Sequence, residues 1–126
     1  GVGKTVRGGS RMSEDVRRPQ GNFTGEVAQR PLHELSQPAP VRVSFVRFQP
    51  GARTHWHAHT GGQVLQVLEG EAETQEWEEP VQRLKAGDSV VAAPGRKHWH
   101  GAGPGGPMTH LAVTIGELEW FGPVES

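Results

Sequence analysis

With 126 residues and a formal net charge of −1, the chain has the length of one domain and lacks the basic excess that phosphate-backbone recognition requires. It contains no cysteine, so disulfides, thiolate metal sites and cysteine nucleophiles are excluded, and a bound metal would need imidazole or oxygen ligands. No apolar run is long enough to cross a bilayer or to form the core of a signal peptide. We therefore expect a cytoplasmic protein that binds neither nucleic acid nor a membrane.

The N-terminal segment differs from the rest of the chain in composition. Residues 1–20 are polar, charged and rich in glycine, which predicts a flexible lead-in to one domain over residues 21–126. Met12 is a candidate natural start, in which case residues 1–11 would be a remnant of the expression vector.

Beyond the lead-in, short apolar segments alternate with turn residues. The chain has 18 Gly and 10 Pro, and no helical period persists between them. A first strand is predicted over residues 22–27, followed by an irregular connection over residues 31–40 that three prolines interrupt. Further strands are predicted over residues 41–48, 53–59, 63–68, 71–77, 81–84, 89–93 and 108–115. This series of short strands predicts an all-β jelly roll or small barrel.

Six of the seven histidines form two tight clusters and one outlier, namely His55, His57, His59, His98, His100 and His110. Side chains two residues apart on a strand share a face, so each His-x-His pair can present ring nitrogens to one point. A single histidine is more often a packing or surface residue. Two such pairs beside Gly and Pro turns, in a chain without cysteine, instead predict a metal site.

Two motifs in order connect these histidines to a known family. The spacing of Gly51, His57, His59, Gln63 and Gly70 resembles the first cupin motif, with Gln in place of the Glu that many members carry. The segment from Gly87-Asp88 to Pro94-Gly95-Arg96-Lys97-His98 resembles the second. The resemblance implies a cupin double-stranded β-helix, a jelly-roll barrel, with one divalent metal ion per subunit bound by His57, His59, Gln63 and His98.

A narrower resemblance is carried by the stretches His98-Trp99-His100-Gly101-Ala102 and Met108-Thr109-His110. They are similar to small single-domain bacterial cupins of the carboxymuconolactone-decarboxylase-like group, some of which are manganese-dependent hydroxynitrile lyases. This similarity implies manganese as the metal and His110 as the acid/base residue. The donor atoms alone leave Fe, Zn, Ni and Cu open.

The alternation of side chains along two predicted strands indicates a pocket. His110, Ala112 and Thr114 share one face, and an unshifted pKa near 6.5 would let His110 transfer a proton at neutral pH. His100 is expected to support a ligand rather than to bind the metal. The predicted substrate pocket consists of Ser44, Val46, Phe48, His100, Ala112 and Thr114.

Three imidazoles and an amide are neutral, so a bound ion would keep its full charge and would bind an alkoxide or another anion well. The leading hypothesis is a metal-dependent enzyme that reversibly cleaves a C–C bond in a small hydroxynitrile. The alternatives are an iron-dependent dioxygenase, a polyketide cyclase-like or isomerase cupin, and a non-catalytic ligand-binding cupin stabilised by metal. Apolar residues on the opposite faces of the strands, such as Val64 and Leu111, predict a homodimer or homotetramer.

Overall fold

The computed structural model describes residues 3–8 and 16–125. Residues 1–2, 9–15 and 126, and with them part of the predicted lead-in and the candidate start at Met12, lie outside the described residues. The described chain forms strands and no helix, which confirms the all-β prediction; it therefore has no helix long and apolar enough to cross a membrane. The strands are β1 (Phe23–Thr24), β2 (Val27–Leu35), β3 (Val41–Phe48), β4 (Arg53–Thr54), β5 (His57–His59), β6 (Gln63–Glu69), β7 (Glu71–Glu76), β8 (Gln82–Lys85), β9 (Ser89–Ala92), β10 (His98–Ala102), β11 (Met108–Ile115) and β12 (Leu118–Trp120).

The strands form two antiparallel sheets. A five-stranded sheet has the order β2-β3-β11-β6-β9, and β11 pairs with β3 along its whole length, from Met108 opposite Phe48 to Ile115 opposite Val41. The other sheet has the path β1-β4-β10-β5-β12, with β7 and β8 added through the pairing of β7 with β10. Several paired strands, such as β3 with β11 and β5 with β12, are distant in sequence, as in a jelly roll.

The core lies between the two sheets. From His110 onward every second residue of β11 is buried: His110 and Ala112 are each at most 4% exposed, whereas Leu111 and Val113 are only partly buried. This is the period of two expected of a strand with one inner face. The main apolar cluster consists of Val27, Val46, Phe48, Ala52, Leu65, Val67, Ala72, Ala102, Met108 and Ala112.

The connection predicted over residues 31–40 was wrong in its first half, because β2 continues through Pro31 to Leu35. β2 is an edge strand, and the pairing of β2 with β3 shifts register between Pro31 and His33. A proline is compatible with a strand at such a place because its missing N–H costs no ladder bond. The expected connection is therefore confined to residues 36–40.

Two predicted strands are interrupted in the structure. The strand predicted over residues 22–27 divides into β1 and the start of β2 at Gly25, which has a φ of 83°. The strand predicted over residues 53–59 divides into β4 and β5, because the N–H groups of His55 and Trp56 bond to Asn22 and Gly122 instead of continuing one ladder. The N-terminal segment also touches the barrel, since Arg17 and Gln29 exchange two backbone hydrogen bonds of 2.7 Å.

Candidate metal centre and cavity

The two histidine clusters meet because β5 and β10 are neighbours in one sheet. His57 and His98 are directly opposite each other in this antiparallel pair, and their ring centroids are 4.3 Å apart. Residues directly opposite on adjacent strands point to the same face, here the interior. His57, His59, His98 and His100 are each no more than 5% exposed.

His57 and His98 have the same local hydrogen bond. In each ring Nδ1–H donates to the backbone carbonyl two residues earlier, at 2.9 Å to His55 and 3.0 Å to Arg96. A neutral imidazole that donates from Nδ1 keeps its lone pair on Nε2. This arrangement is the usual one for a histidine that binds metal through Nε2, and it gives His55 a role through its carbonyl rather than its ring.

Gln63 lies beside these rings. Its amide nitrogen donates to Thr114 Oγ1 at 3.0 Å, and its amide oxygen is 3.0 Å from Nε2 of His98. The amide oxygen of Gln63 and Nε2 of neutral His98 both present lone pairs, so no hydrogen bond can form between them. Two ligands at right angles on one ion, each about 2.1 Å from it, would be about 3 Å apart. The 3.0 Å between these two atoms matches that separation.

His59 provides a further observation in favour of a metal. Both of its ring nitrogens are buried without a hydrogen-bond partner among the described residues. A buried polar atom without a partner carries a desolvation cost that a ligand would remove. The side chains predicted to bind metal, His57, His59, Gln63 and His98, therefore fit one divalent ion in their donor chemistry.

A second set of nitrogens is also compact. One nitrogen from each of His57, His98 and His100 lies within 4.8 Å of the other two. His100 was expected to support the ligands rather than to join them. The two possible sets share His57 and His98 and differ in whether His59 with Gln63, or His100, completes the site.

Burial keeps the histidine cluster uncharged. Desolvation, with smaller contributions from neighbouring histidines, lowers the pKa of His57 to about 3. Desolvation also lowers the pKa of His59, to about 4, with smaller contributions from His98 and Arg42. Desolvation also lowers the pKa of His98, and it lowers that of His100 well below its ordinary value. The rings are therefore neutral at pH 7, which is the state that binds a metal ion.

His110 is paired with His100. Its Nε2 is 3.0 Å from Nδ1 of His100, and neither His110 Nδ1 nor His100 Nε2 has a partner in the described part of the chain. The expectation of an unshifted pKa for His110 was wrong, because burial lowers the pKa of His110 to about 4. At neutral pH this residue is a proton acceptor rather than a half-protonated group.

A cavity of about 1140 Å³ opens onto the cluster. Its lining includes His57, His59 and Gln63, and also the six residues of the predicted pocket, Ser44, Val46, Phe48, His100, Ala112 and Thr114. His98 and His110 are not among the described residues that line this cavity. Of the two residues in contact, His100 and His110, it is therefore His100 that faces the cavity.

The sequence-based prediction missed several residues of this cavity. Trp120 lines it and packs on the ring of His57, with centroids 5.0 Å apart, and it also contacts Phe23 edge-on at 5.6 Å. The lining also includes Arg42 and described residues that precede β1, namely Lys4, Arg17, Pro19, Gln20, Gly21 and Asn22. The predicted strands ended at residue 115 and Trp120 was not among the predicted pocket residues, because a three-residue strand such as β12 has no detectable period.

The cupin domain family matches residues 44–114, more than half of the chain. The chain belongs to the cupin family. Over 91 residues, this cupin is 47% identical to an (R)-mandelonitrile lyase from Granulicella tundricola, with 72% of this chain and 70% of that protein covered.

Solved structures agree with this assignment. A cupin-like protein from Thermotoga maritima superimposes with a TM-score of 0.76 at 37% identity, covering 98% of this cupin and 92% of that chain. A predicted oxalate decarboxylase from Thermotoga maritima has a TM-score of 0.71 at 25% identity, covering 85% of this chain and 97% of that one. The family and the barrel predicted from the two motifs are thus confirmed.

Proposed function

We propose that this cupin is a metal-dependent lyase that cleaves and forms the C–C bond of a small cyanohydrin. The observation that carries the proposal is the buried cluster of neutral histidines at the wall of a large cavity. The 47% identity to a mandelonitrile lyase supports the choice of reaction. A cytoplasmic location belongs to the proposal and can be checked by cell fractionation.

We assign one divalent ion, manganese by the resemblance described above, to His57, His59, Gln63 and His98. When bound, it supplies a positive charge that stabilises negative charge on the cyanohydrin oxygen or on cyanide. Because all four side chains are neutral, none of them offsets that charge. Thr114 orients Gln63, and the two backbone carbonyls orient His57 and His98, so the ligand atoms are held before metal arrives.

The acid/base function is assigned to His110 acting with His100. In the cleavage direction the cyanohydrin O–H proton passes to Nε2 of His100, and the 3.0 Å contact lets the pair share that proton with His110. As the C–C bond breaks, its electron pair leaves with cyanide and the O–H electron pair forms the aldehyde C=O bond. The proton then moves from the pair to cyanide and gives hydrogen cyanide.

The cavity wall suits a compact substrate. Val46, Phe48 and Ala112 provide an apolar surface, while Ser44 and Thr114 are small enough to leave room for an aromatic ring. We therefore propose an aromatic aldehyde as the carbonyl product.

The proposal is tested by following benzaldehyde release from mandelonitrile. We expect turnover by the manganese-loaded protein, none after chelation, and recovery on adding Mn²⁺. His110→Ala should lower kcat by at least about 100-fold. Leu111→Ala, the next residue on the other face of the same strand, is the control and should retain activity. Mandelonitrile turnover that does not respond to metal or to His110→Ala would contradict the proposal.

A second candidate is an iron-dependent oxidoreductase. The observation that favours it is the compact group of His57, His98 and His100, since three histidines can bind Fe²⁺ and leave positions for oxygen. Oxygen uptake by the iron-loaded protein in the presence of small aromatic substrates, without any cyanohydrin cleavage, would favour this candidate over the lyase.

A further inference from the structure

Two rows of residues cross four strands at one border of the seven-stranded sheet. The row that carries the metal ligands, which we call the inner row, is Trp120, His57, His98 and Glu76, and successive members are paired in register. The next position on each strand gives the outer row, Phe121, Trp56, Lys97 and Trp77. Backbone hydrogen bonds continue across it, from Phe121 N to Trp56 O at 2.8 Å and from Trp77 N to Lys97 O at 2.9 Å.

Side chains of the outer row point away from the barrel interior, because consecutive residues of a strand face opposite sides. Trp77 is 45% and Phe121 is 39% exposed, which is unusual for such large apolar side chains. Together with Trp56 they surround a cation. The ammonium of Lys97 lies 3.6 Å from the ring centroid of Trp77, 4.7 Å from that of Phe121 and 5.7 Å from that of Trp56.

The position of the outer row matters because two of the assigned metal ligands, His57 and His98, lie at strand ends. His57 is the first residue of β5 and His98 is the first residue of β10. Terminal residues of strands are where local opening is cheapest. The outer row lies one residue beyond both ends, and its aromatic contacts, such as Trp56 against Trp77 at 5.0 Å, join segments that would otherwise separate there.

We propose that Lys97, enclosed by Trp56, Trp77 and Phe121, is a positioning residue that fixes His57 and His98 for metal binding from the outer face of the sheet. The proposal rests on the assignment of His57 and His98 as ligands, which is common to both possible ligand sets, and not on the reaction. Each histidine is covalently adjacent to a member of the outer row, so a shift of that row moves the ligand. The ammonium attracts all three ring faces at once, which an apolar side chain cannot do.

The test measures binding of Co²⁺ to the chelator-treated protein by calorimetry, with the urea midpoint of each variant determined in parallel. Lys97→Met keeps the length of the side chain and removes its charge, and it should weaken Co²⁺ binding roughly 10-fold. Lys97→Arg keeps the cation–π contacts and should stay within about 3-fold of the parent protein. Trp77→Leu, at an exposed position, should resemble Lys97→Met.

Controls separate this role from general stability and charge. Lys85→Met makes the same charge change on β8. Leu84→Ala destabilises the barrel from a partly buried position. Neither substitution should change the affinity for Co²⁺. The Lys97 and Trp77 substitutions should be non-additive when combined. Parental Co²⁺ affinity in both Lys97→Met and Trp77→Leu would overturn the proposal, even if the lyase reaction is established. Absence of Co²⁺ binding in the parent protein would instead refute the metal assignment and the proposed function with it.

Discussion

At the residue scale, the most informative atoms are the ring nitrogens of the histidines. His57 and His98 each fix their tautomer with a carbonyl two residues away, so this preparation for metal binding is encoded locally. Neither ring nitrogen of His59 has a hydrogen-bond partner within residues 3–8 and 16–125, and a bound ion would provide one. The contribution of His59 is therefore the part of the proposed ligand set that substitution tests most directly.

Replacing His59 or His100 by alanine distinguishes the two ligand sets. If His59 and Gln63 complete the site, we expect His59→Ala to lower metal affinity by roughly 100-fold or more and His100→Ala to lower it far less. The measurement is metal stoichiometry by elemental analysis after dialysis against equal concentrations of Mn²⁺. The reverse order of effects would identify the compact group of His57, His98 and His100 as the site.

At the element scale, β10 links the metal site to the rest of the barrel. It pairs with β7 over five residues and also meets β4 and β5. Near its end β10 passes very close to the chain before β4, since a Cβ on Gly101 would collide with the carbonyl oxygen of Ala52. Only glycine permits this approach, and it brings His100, the preceding residue, against the core.

Gly101→Ala is therefore expected to force β4 and β10 apart. Overpacking of this kind destabilises proteins by about 1–3 kcal/mol, and we expect a loss of that size in urea unfolding. Gly103→Ala is the matched control, because its added Cβ would meet the nearest atom, Glu71 O, at an ordinary 3.6 Å. Equal stability of the two variants would contradict the close-packing argument.

At the scale of the whole molecule, the buried histidines couple folding to pH. Ordinary histidine titrates near pH 6.5 in the unfolded chain, whereas the folded-state pKa is about 3 for His57 and about 4 for His59 and His110. Between these values the unfolded chain binds protons that the folded chain does not. Stability must then fall as the pH is lowered through this window.

For the metal-free protein we expect the free energy of unfolding to decrease from pH 6.5 towards pH 4, by up to about 1.4 kcal/mol per pH unit for each such histidine. Urea titrations at pH 7, 6 and 5 measure it. His110→Phe removes one of these groups and should make the decrease less steep. A free energy of unfolding that stays constant or rises on acidification would show that these rings are not buried in the neutral state.

The outer face of the five-stranded sheet bears on assembly. Val91, Val64, Val113 and Val43 occupy one row across four adjacent strands, and Val91 is 59% and Val64 39% exposed. A continuous apolar row of this kind is typical of a covered surface. We propose that a second copy of the chain covers it and forms the predicted homodimer, or a homotetramer built from such dimers.

Light scattering after size-exclusion chromatography tests this proposal. We expect the parent protein to elute as a dimer or tetramer and the double variant Val64→Lys, Val91→Lys to have a lower mass, because burying two ammonium groups is costly. Val81→Lys, at a position 46% exposed outside this row, should leave the mass unchanged. A monomeric parent protein would refute the assembly.

The sequence by itself determined the strands with clear alternation, such as β3 and β11, and the histidine motifs, because side-chain period and spacing are local properties. It also predicted the six pocket residues that the structure places in the cavity lining. It could not give the bulged path of β2 through Pro31, the role of Trp120 or the outer row around Lys97. Those depend on which strands become neighbours. Burial was likewise decided by the tertiary structure, and it is burial that moves the pKa of His110 from its ordinary value to about 4.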